Sequence, residues 1–161
     1  MSKPLEARRF AIRRTYPGDI PDLLQIAEEC NLSPWSSDDY IDEAKRTDST
    51  MLCLESAAGE TAGFLVGRRV LSANSLREYD AEIYNIGVKT LFQKQGCGGM
   101  LLNRFLEICK KDMVQNVWLD VRVSNKNAIR FYKSFGFVEY TVRPGFYGDP
   151  AEDGIVMRLT I

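Results

Sequence analysis

The sequence predicts a mixed α/β fold, in which strands and helices alternate along the chain. Three observations indicate this. Ile83 to Val88 has the composition of a buried strand, and a glycine-rich loop and a helical apolar pattern opening at Met100 follow it. A second strand at 117–123 alternates between two faces, and an amphipathic helix follows at 125–135. Strand–helix–strand connections of this kind make the middle of the sheet parallel.

The N-terminal part of the chain predicts one strand and a first helix. Residues 1–9 are polar and basic and predict a loose start, and residues 10–14 predict the first strand. Asp19 is the expected N-cap of the helix, and Pro21 is tolerated in its first turn. The apolar face of this helix recurs at helical spacing and consists of Ile20, Leu23, Leu24, Ala27 and Cys30.

A loop at 31–37 leads to a second helix, which Ser36 or Ser37 is expected to cap. This loop carries an apolar set, formed by Leu32, Pro34 and Trp35. Two interpretations of the set stay open. Trp35 closes the core, or the loop lines a peptide-binding groove.

The remaining strands follow from β-rich runs and turn residues. Residues 51–55 and 62–67 predict a hairpin with a turn at 58–60. The polar residues 68–81 predict a link without regular structure. In the strand at 117–123 one face is expected to carry Val117, Leu119, Val121 and Val123, and the other Trp118, Asp120 and Arg122.

The C-terminal part predicts a helix and two closing strands. Ser124 or Asn125 caps the helix, and Gly136 ends it. The closing strands are expected near 137–143 and 154–161, joined by a loop. The complete order is βααββ–β–α–β–α–ββ.

Length and charge limit the classes of protein that the chain can represent. With 161 residues, a single domain spanning 1–161 is expected. The net charge of −1 argues against electrostatic binding of nucleic acid, although a cationic peptide remains a suitable partner. No apolar run resembles a signal peptide or is long enough to span a membrane, so we expect a cytoplasmic protein without membrane contact.

The chain has four cysteines and no histidine, and no cysteine pair has C-x-x-C spacing. A Cys/His zinc site and a Cys–His nucleophile pair are therefore excluded, and no metal is expected. Cys30, Cys53 and Cys109 lie among apolar neighbours and are expected to be reduced core residues.

The glycine-rich loop has the properties of an anion site. A helix start leaves its first N–H groups unpaired and is electropositive. Glycines at 96, 98 and 99 leave the backbone open, so a phosphate could rest on the amides of residues 95–100. The alternative is a tight strand-to-helix turn without a ligand. The segment matches neither G-x-x-x-x-G-K-[ST] nor G-x-G-x-x-G.

At this loop the chain resembles the GNAT family of N-acetyltransferases. Gln93-Lys94-Gln95-Gly96-Cys97-Gly98 is similar to the acetyl-CoA loop Q/R-x-x-G-x-G/A of that family. The strand Asn85-Ile86-Gly87-Val88 and the later Asn125, Phe131-Tyr132 and Phe135-Gly136-Phe137 match in order and spacing. The resemblance implies the GNAT fold, a mixed central sheet flanked by helices, with parallel strands at 82–88 and 117–123 that splay apart.

The resemblance also implies how acetyl-CoA binds. Ile86, Gly87 and Val88 would contact the acetyl and pantetheine part through their backbone, and Asn125 would contact the pantetheine arm. The pyrophosphate would lie on the loop formed by Lys94, Gln95, Gly96, Cys97, Gly98 and Gly99.

Acyl transfer from a thioester to an amine needs a group that accepts the amine's proton and a group that protonates the thiolate. The resemblance implies that Tyr132 is the acid. From its place in the sequence alone, a core tyrosine is the favoured interpretation, and the resemblance reverses this. Asp120 and Glu82 are the candidate bases, acting directly or through a water. For Asp120 an ion pair with Arg122 or another cation is the alternative.

Within the family, the chain is most similar to the RimI-type ribosomal-protein alanine N-acetyltransferases. The similar segments include Pro34-Trp35-Ser36, Leu119-Asp120-Val121-Arg122 and Phe146-Tyr147. The family has glutamate at the position of Asp120, and R-R-x-Y-Y where this chain has Arg143 to Tyr147.

The resemblance implies acetyl-CoA-dependent acetylation of a protein N-terminus, and in particular the alanine of a small-subunit ribosomal protein, by direct transfer in a ternary complex. An acidic enzyme suits a basic acceptor. Two alternatives stay open: a GNAT that acetylates a small amine or another protein, and a non-catalytic acyl-CoA-binding module.

Overall fold

A computed structural model describes residues 9–161 and has the mixed α/β arrangement that the sequence predicts. The strands are β1 (Phe10–Arg14), β2 (Ser49–Ser56), β3 (Thr61–Ser72), β4 (Ser75–Val88), β5 (Val114–Arg122), β6 (Val138–Gly148) and β7 (Ala151–Thr160). The helices are α1 (Ile20–Glu29), α2 (Ser37–Ala44), α3 (Cys97–Lys111) and α4 (Lys126–Ser134). Short 3₁₀ helices lie at Pro17–Asp19 and Thr90–Phe92. The predicted loose start, residues 1–9, lies outside the described residues except for Arg9.

The seven strands form one sheet in the order β1-β2-β3-β4-β5-β7-β6. β4 and β5 are parallel, whereas β1–β2, β2–β3, β5–β7 and β6–β7 are antiparallel. The predicted element order and the parallel centre are therefore confirmed. The parallel arrangement arises because α3 returns the chain to the edge at which β4 started.

The chain divides into two compact units. The first contains the described residues up to Arg68 together with Asn85–Ile108, and the second contains Arg69–Tyr84 together with Cys109–Ile161. β3, β4 and α3 each pass from one unit into the other along the chain.

The first unit has its core between the β1–β2–β3 sheet and the helices α1 and α2. In the register Ile12 lies opposite Leu54, and Leu52 lies opposite Leu65. The buried cluster consists of Ile20, Leu23, Ile26, Ala27, Tyr40, Met51, Cys53, Phe64 and Val66. The apolar face predicted for the first helix is thus the face that packs on the core.

The cap of α1 differs from the prediction. Asp19 is the N-cap residue but its side chain does not cap α1. Its carboxylate instead accepts hydrogen bonds from the Tyr16 amide (2.7 Å) and from both terminal nitrogens of Arg13. The reason is that the preceding 3₁₀ turn places Asp19 one turn later than a simple helix start would. The hydrogen bond that the Arg13 side chain donates to Asp19 keeps the pKa of Asp19 below its usual value.

The second helix begins as predicted. Ser36 is the N-cap of α2, and its hydroxyl accepts from the Asp39 amide while the Asp39 carboxylate accepts from the Ser36 amide. Trp35 packs partly buried against the core cluster, with its ring 5.3 Å from that of Tyr40. It also lines a cavity of about 290 Å³. Trp35 therefore contributes to the core, in agreement with the first of the two interpretations of this loop.

The second unit is organised around β5. Its buried side chains Val117, Leu119 and Val121 alternate with more exposed ones, as predicted. The parallel register runs from Tyr79 opposite Val114 to Ile83 opposite Leu119. β5 pairs with β7 along its length from Asn116 to Arg122.

A buried carboxylate links β4 to β5 within this unit. Asp80 is 5% exposed and accepts hydrogen bonds from the amide and side chain of Asn116 and from the Trp118 indole (2.8 Å). Asn116 in turn accepts from Thr160 on β7 (2.8 Å). Because the donors are neutral but numerous, they replace the water that burial removes.

Two predicted links are wrong. Residues 68–81 belong mostly to β3 and β4, which meet at a short turn. Much of this hairpin is exposed, and even Leu76 is 88% exposed. Exposed strands can carry polar side chains, which explains why this segment resembles a link in sequence. The predicted loop 144–150 is mostly β6, and only the residues between Gly148 and Ala151 connect it to β7. A register shift between Arg143 and Tyr147 accommodates Pro144 in the strand.

Among the helices in residues 9–161, none combines the length and the apolar character that crossing a membrane requires.

Gly63 on β3 tests the packing of the first unit. A Cβ at this position would lie 2.8 Å from the backbone oxygen of Gly87 and 3.3 Å from Leu101. We expect Gly63→Ala to lower the free energy of unfolding by about 1–3 kcal/mol, measured by urea denaturation, because the backbone cannot move aside as a side chain can. Gly18→Ala is the control, since no atom lies within 4 Å of its Cβ. Equal stability of the two variants would contradict this packing.

Candidate active site

The glycine-rich loop lies in the first unit, between a 3₁₀ turn and α3. Gly96 has φ +80°, and Lys94, unusually for a residue with a side chain, has φ +61°. The Met100 amide donates to the Gly96 carbonyl (3.0 Å), which is the first bond of the helix. The amides of Cys97, Gly98 and Gly99 precede that bond and have the position that an anion would use.

The start of α3 corrects the sequence prediction. The helix was expected to open at Met100, but it begins at Cys97. Gly98 and Gly99 therefore lie in its first turn rather than in a loop, and of the loop glycines Gly96 alone has positive φ. A Cβ at Gly96 would meet no atom within 4 Å, so the space beside this turn is open.

The residues that were predicted to bind the acetyl group, Ile86, Gly87 and Val88, lie at the end of β4. Gly87 is buried, and Ile86 and Val88 are half-buried on the opposite face. The Val88 carbonyl accepts from the Gln93 side chain (2.9 Å) and from the Cys30 thiol (3.3 Å). These bonds hold the turn that leads from β4 to the loop. The Gln95 side chain donates to the Leu91 carbonyl (3.4 Å) and closes the same turn.

Asn125 lies in the second unit and is the N-cap of α4. It is one of the two residues, Ser124 and Asn125, that the sequence predicted as the cap of this helix. Its side-chain oxygen accepts from the Ala128 amide (3.2 Å). The oxygen is therefore engaged in the helix cap. Gly136, with φ +93°, follows the end of this helix as expected.

Asp120, also in the second unit, is paired with an arginine other than its neighbour in sequence. Arg143 on β6 lies 3.5 Å from its carboxylate, between Nε and Oδ1. Arg122 instead binds Glu152 (3.3 Å) and stacks on the Tyr147 ring at 4.3 Å. The ion-pair alternative for Asp120 thus holds, with Arg143 as the cation.

Asp120 shares its surroundings with Glu82. Burial raises the pKa of Asp120 above its usual value, the Arg143 guanidinium lowers it, and the Glu82 carboxylate raises it. Glu82 accepts a hydrogen bond of 2.5 Å from the Tyr84 hydroxyl. The structure therefore brings the two candidate bases close enough for their charges to interact.

Tyr132 on α4 is 7% exposed and packs against the rings of Phe131 and Phe137. Burial raises the pKa of its phenol well above the usual value, and Tyr147 raises it further. Burial also raises the pKa of Tyr147 to about 12, and the charge of Asp120 adds to this. Both hydroxyls therefore keep their protons throughout the neutral range.

The second unit thus collects Glu82, Asp120 and Tyr132 with two further groups, Arg143 and Tyr147. The sequence alone missed the link between Tyr84 and Glu82. A signal for it existed, because residues two apart on a strand lie on one face. The contact between Asp120 and Arg143 carried no such signal, because it depends on the register of β5, β7 and β6.

The four cysteines are all free thiols, as expected for Cys30, Cys53 and Cys109. Cys53, Cys97 and Cys109 are buried, whereas Cys30 is half-buried. Over residues 9–161 the structure contains no cluster of three or more carboxylate or thiol groups with the geometry of a metal site.

Comparison with known proteins gives a family and several relatives. The model of the acetyltransferase (GNAT) family matches residues 20–137. The chain is 33% identical over 146 residues to the [ribosomal protein bS18]-alanine N-acetyltransferase of Escherichia coli (strain K12), with 89% of this chain and 92% of that protein covered.

Solved structures agree with this. The ribosomal-protein-S18-alanine N-acetyltransferase from Escherichia coli superposes with a TM-score of 0.81 at 30% identity, over 94% of each chain. Ard1 from Thermoplasma volcanium superposes with a TM-score of 0.84 at 28% identity, over 95% of this chain and 98% of that one.

The Asp120–Arg143 contact makes a testable prediction. Because the guanidinium favours the ionised carboxylate, we expect Arg143→Gln to raise the pKa of Asp120 further, whereas Arg143→Lys should raise it less. The measurement is a pH titration of the labelled aspartate carboxyl carbons by NMR. Arg130→Gln removes the same charge from a side chain that binds Asn127 and serves as the control. An unchanged midpoint in Arg143→Gln, or the same change in the control, would contradict the contact.

Proposed function

Because the chain belongs to the acetyltransferase (GNAT) family, we propose that it transfers the acetyl group of acetyl-CoA to the α-amino group of a protein N-terminus. The family, the fold and the enzyme class that the sequence predicted are confirmed. We propose the N-terminal alanine of a small-subunit ribosomal protein as the acceptor. This is supported by the name and the nearly full-length match of the Escherichia coli relative.

The observation that carries the proposal is a group of ionisable side chains in the second unit. Two carboxyl groups, Asp120 and Glu82, interact with each other, and Tyr132 in the same unit keeps its proton. Formation of an amide from a thioester and an ammonium group needs one kind of group to remove protons and another to supply one.

The residues at the start of α3 fit a bound pyrophosphate. The amides of Cys97, Gly98 and Gly99 are at the helix N-terminus, two of these residues lack side chains, and Gly96 leaves open space. We propose that these residues, with Lys94 and Gln95, hold the pyrophosphate. Ile86, Gly87 and Val88 would contact the acetyl and pantetheine part through their backbone, and Asn125 would contact the pantetheine arm. When bound, acetyl-CoA supplies the activated acetyl group.

The carboxyl groups would act on the acceptor. Asp120 or Glu82 takes a proton from the amine, directly or through a water, so that the nitrogen lone pair becomes available. Asp120 is one methylene shorter than the glutamate of the family pattern and is also held by Arg143. These two facts favour a water, or Glu82, as part of the path. Tyr132 then donates its phenolic proton to the leaving sulfur.

We also propose that residues 1–161 are a single N-acetyltransferase domain. The family match runs from α1 through α4 and includes parts of both compact units. β3, β4 and α3 each contribute to both units, so neither unit has a complete set of elements in sequence.

The experiment that tests the function is acetylation of a panel of acceptors. We expect the full chain and labelled acetyl-CoA to modify peptides with an N-terminal alanine and a basic sequence at least about tenfold faster than the same peptides with a blocked N-terminus. Polyamines and free amino acids complete the panel. Faster transfer to a small amine would support the alternative acceptor class, and acetyl-CoA binding without any transfer would support a non-catalytic module.

Tyr132→Phe tests the acid. We expect turnover to fall about 10²–10⁴-fold, the usual contribution of a general acid, while acetyl-CoA binding measured by calorimetry stays near that of the wild type. Tyr140→Phe is the control, because Tyr140 is 57% exposed on β6. If Tyr132→Phe turns over like the control, the leaving thiolate is protonated by another group.

A further inference from the structure

Glu82 and Tyr84 are two residues apart on β4 and lie on the same face of the strand, opposite the buried Ile83. The Tyr84 hydroxyl donates a hydrogen bond of 2.5 Å to Oε2 of Glu82. Glu82 lies opposite Trp118 in the parallel register, and Asp120 is two residues beyond Trp118 on the same strand face. The carboxyl groups of Glu82 and Asp120 therefore project from one face of the second unit.

We propose that Tyr84 is a positioning residue of the transfer reaction: its hydroxyl holds the Glu82 carboxylate beside Asp120, so that the two carboxyl groups take up the acceptor's proton as a pair. The inference rests on the proposed function, since it concerns the same site. It assigns to Tyr84 a role that is exerted through Glu82.

The hydrogen bond restricts Glu82 in a way that the strand alone does not. A glutamate side chain has three rotatable bonds, so a half-buried Glu82 without a partner would sample several orientations. A phenol that donates to one carboxylate oxygen leaves the other oxygen to accept a proton. A hydrogen bond to an ionised group is also stronger than one between neutral groups.

The charges around the pair come from three strands. Arg143 on β6 contacts Asp120, and Tyr147 on β6 lies near enough for the charge of Asp120 to affect it. Behind Tyr147, Arg122 on β5 and Glu152 on β7 neutralise each other in an ion pair of 3.3 Å. Arg143 is therefore the cation that contacts Asp120, and a second proton acceptor is retained when one carboxyl group is neutral.

The proton step balances with these groups. The N–H bond of the acceptor ammonium breaks, its electron pair stays on nitrogen, and a new O–H bond forms on one carboxylate of the pair. Like charges that lie close together make the pair bind one proton more readily than two separate carboxylates would. The proton leaves to water when the product departs, which restores the pair.

Tyr84→Phe removes the hydroxyl alone. Loss of a hydrogen bond to the charged form makes a carboxylate bind its proton more tightly, so we expect the acidic limb of the kcat/KM profile to move to higher pH by about one unit. Acetyl-CoA binding should stay within about twofold of the wild type. In a Glu82→Gln background, which has no charge to hold, the same substitution should move the limb no further.

Tyr79→Phe is the matched control. Tyr79 lies on the same strand, and its ring stacks with Arg69 at 4.6 Å. We expect its pH profile to equal that of the wild type. The inference is overturned if Tyr84→Phe lowers kcat without moving the acidic limb, or if it moves the limb equally in the Glu82→Gln background, since both results describe a purely structural tyrosine.

A second readout separates this inference from the proposed function. NMR titration of labelled glutamate and aspartate carboxyl carbons in the full chain needs no turnover. We expect the titration of Asp120 in the wild type to respond to the charge of Glu82, and we expect that response to change in Tyr84→Phe. If the chain acetylates no N-terminal peptide but the Asp120 titration changes, the proposed function fails, and only the placement of the Glu82 carboxylate beside Asp120 by Tyr84 stands. If transfer occurs but the titration is identical in both proteins, the positioning role fails alone.

Discussion

The alternation of side chains along β4 is the constraint on which the site depends. From Ala81 to Gly87, every second residue is buried, and the residues between them are half-buried. This period of two leaves no choice about which side chains share a face. At Gly87 a Cβ would lie 2.9 Å from Ile26 and 3.1 Å from Leu32, so a side chain there would displace these packed neighbours. Packing on one face therefore fixes the strand, and the other face carries Glu82 and Tyr84 as a result.

In the second unit, several side chains together determine the pKa of Asp120. Asp120 has a neighbouring cation and a neighbouring anion, and its burial is only partial. An aspartate is one methylene shorter than a glutamate, so its carboxylate reaches less far from the strand. In the reaction that we propose, Glu82 therefore shares the proton transfer with Asp120. The tyrosines near this group keep their protons because burial disfavours the phenolate, so proton acceptors and proton donors stay distinct at neutral pH.

The fold was predictable because its decisive signals are local. The alternation at 117–123, the Ser36 cap and the helix that ends at Gly136 all depend on neighbours in sequence. The residues implied for the donor site lie on the strand end, the loop and the helix start that the resemblance indicated. Polar strands were not predictable: the hairpin at 68–81 is exposed, so its composition resembles that of a link. The early start of α3 at Cys97 was hidden by glycines, which favour loops. The Asp19 side chain binds Arg13, and the Asp120 side chain binds Arg143, through pairings that no spacing reveals.

Arg122 restrains the connection between β6 and β7. Its guanidinium donates to the backbone oxygens of Asp149 and Pro150 and to the Glu152 carboxylate, and its flat face covers the Tyr147 ring. A lysine has neither the planar group nor the spread of donors to reproduce these contacts. These contacts therefore hold the connection between β6 and β7 in place. Loop grafts, epitope tags and inserted residues belong elsewhere on the surface, because lengthening this bend would pull three acceptors away from one donor group.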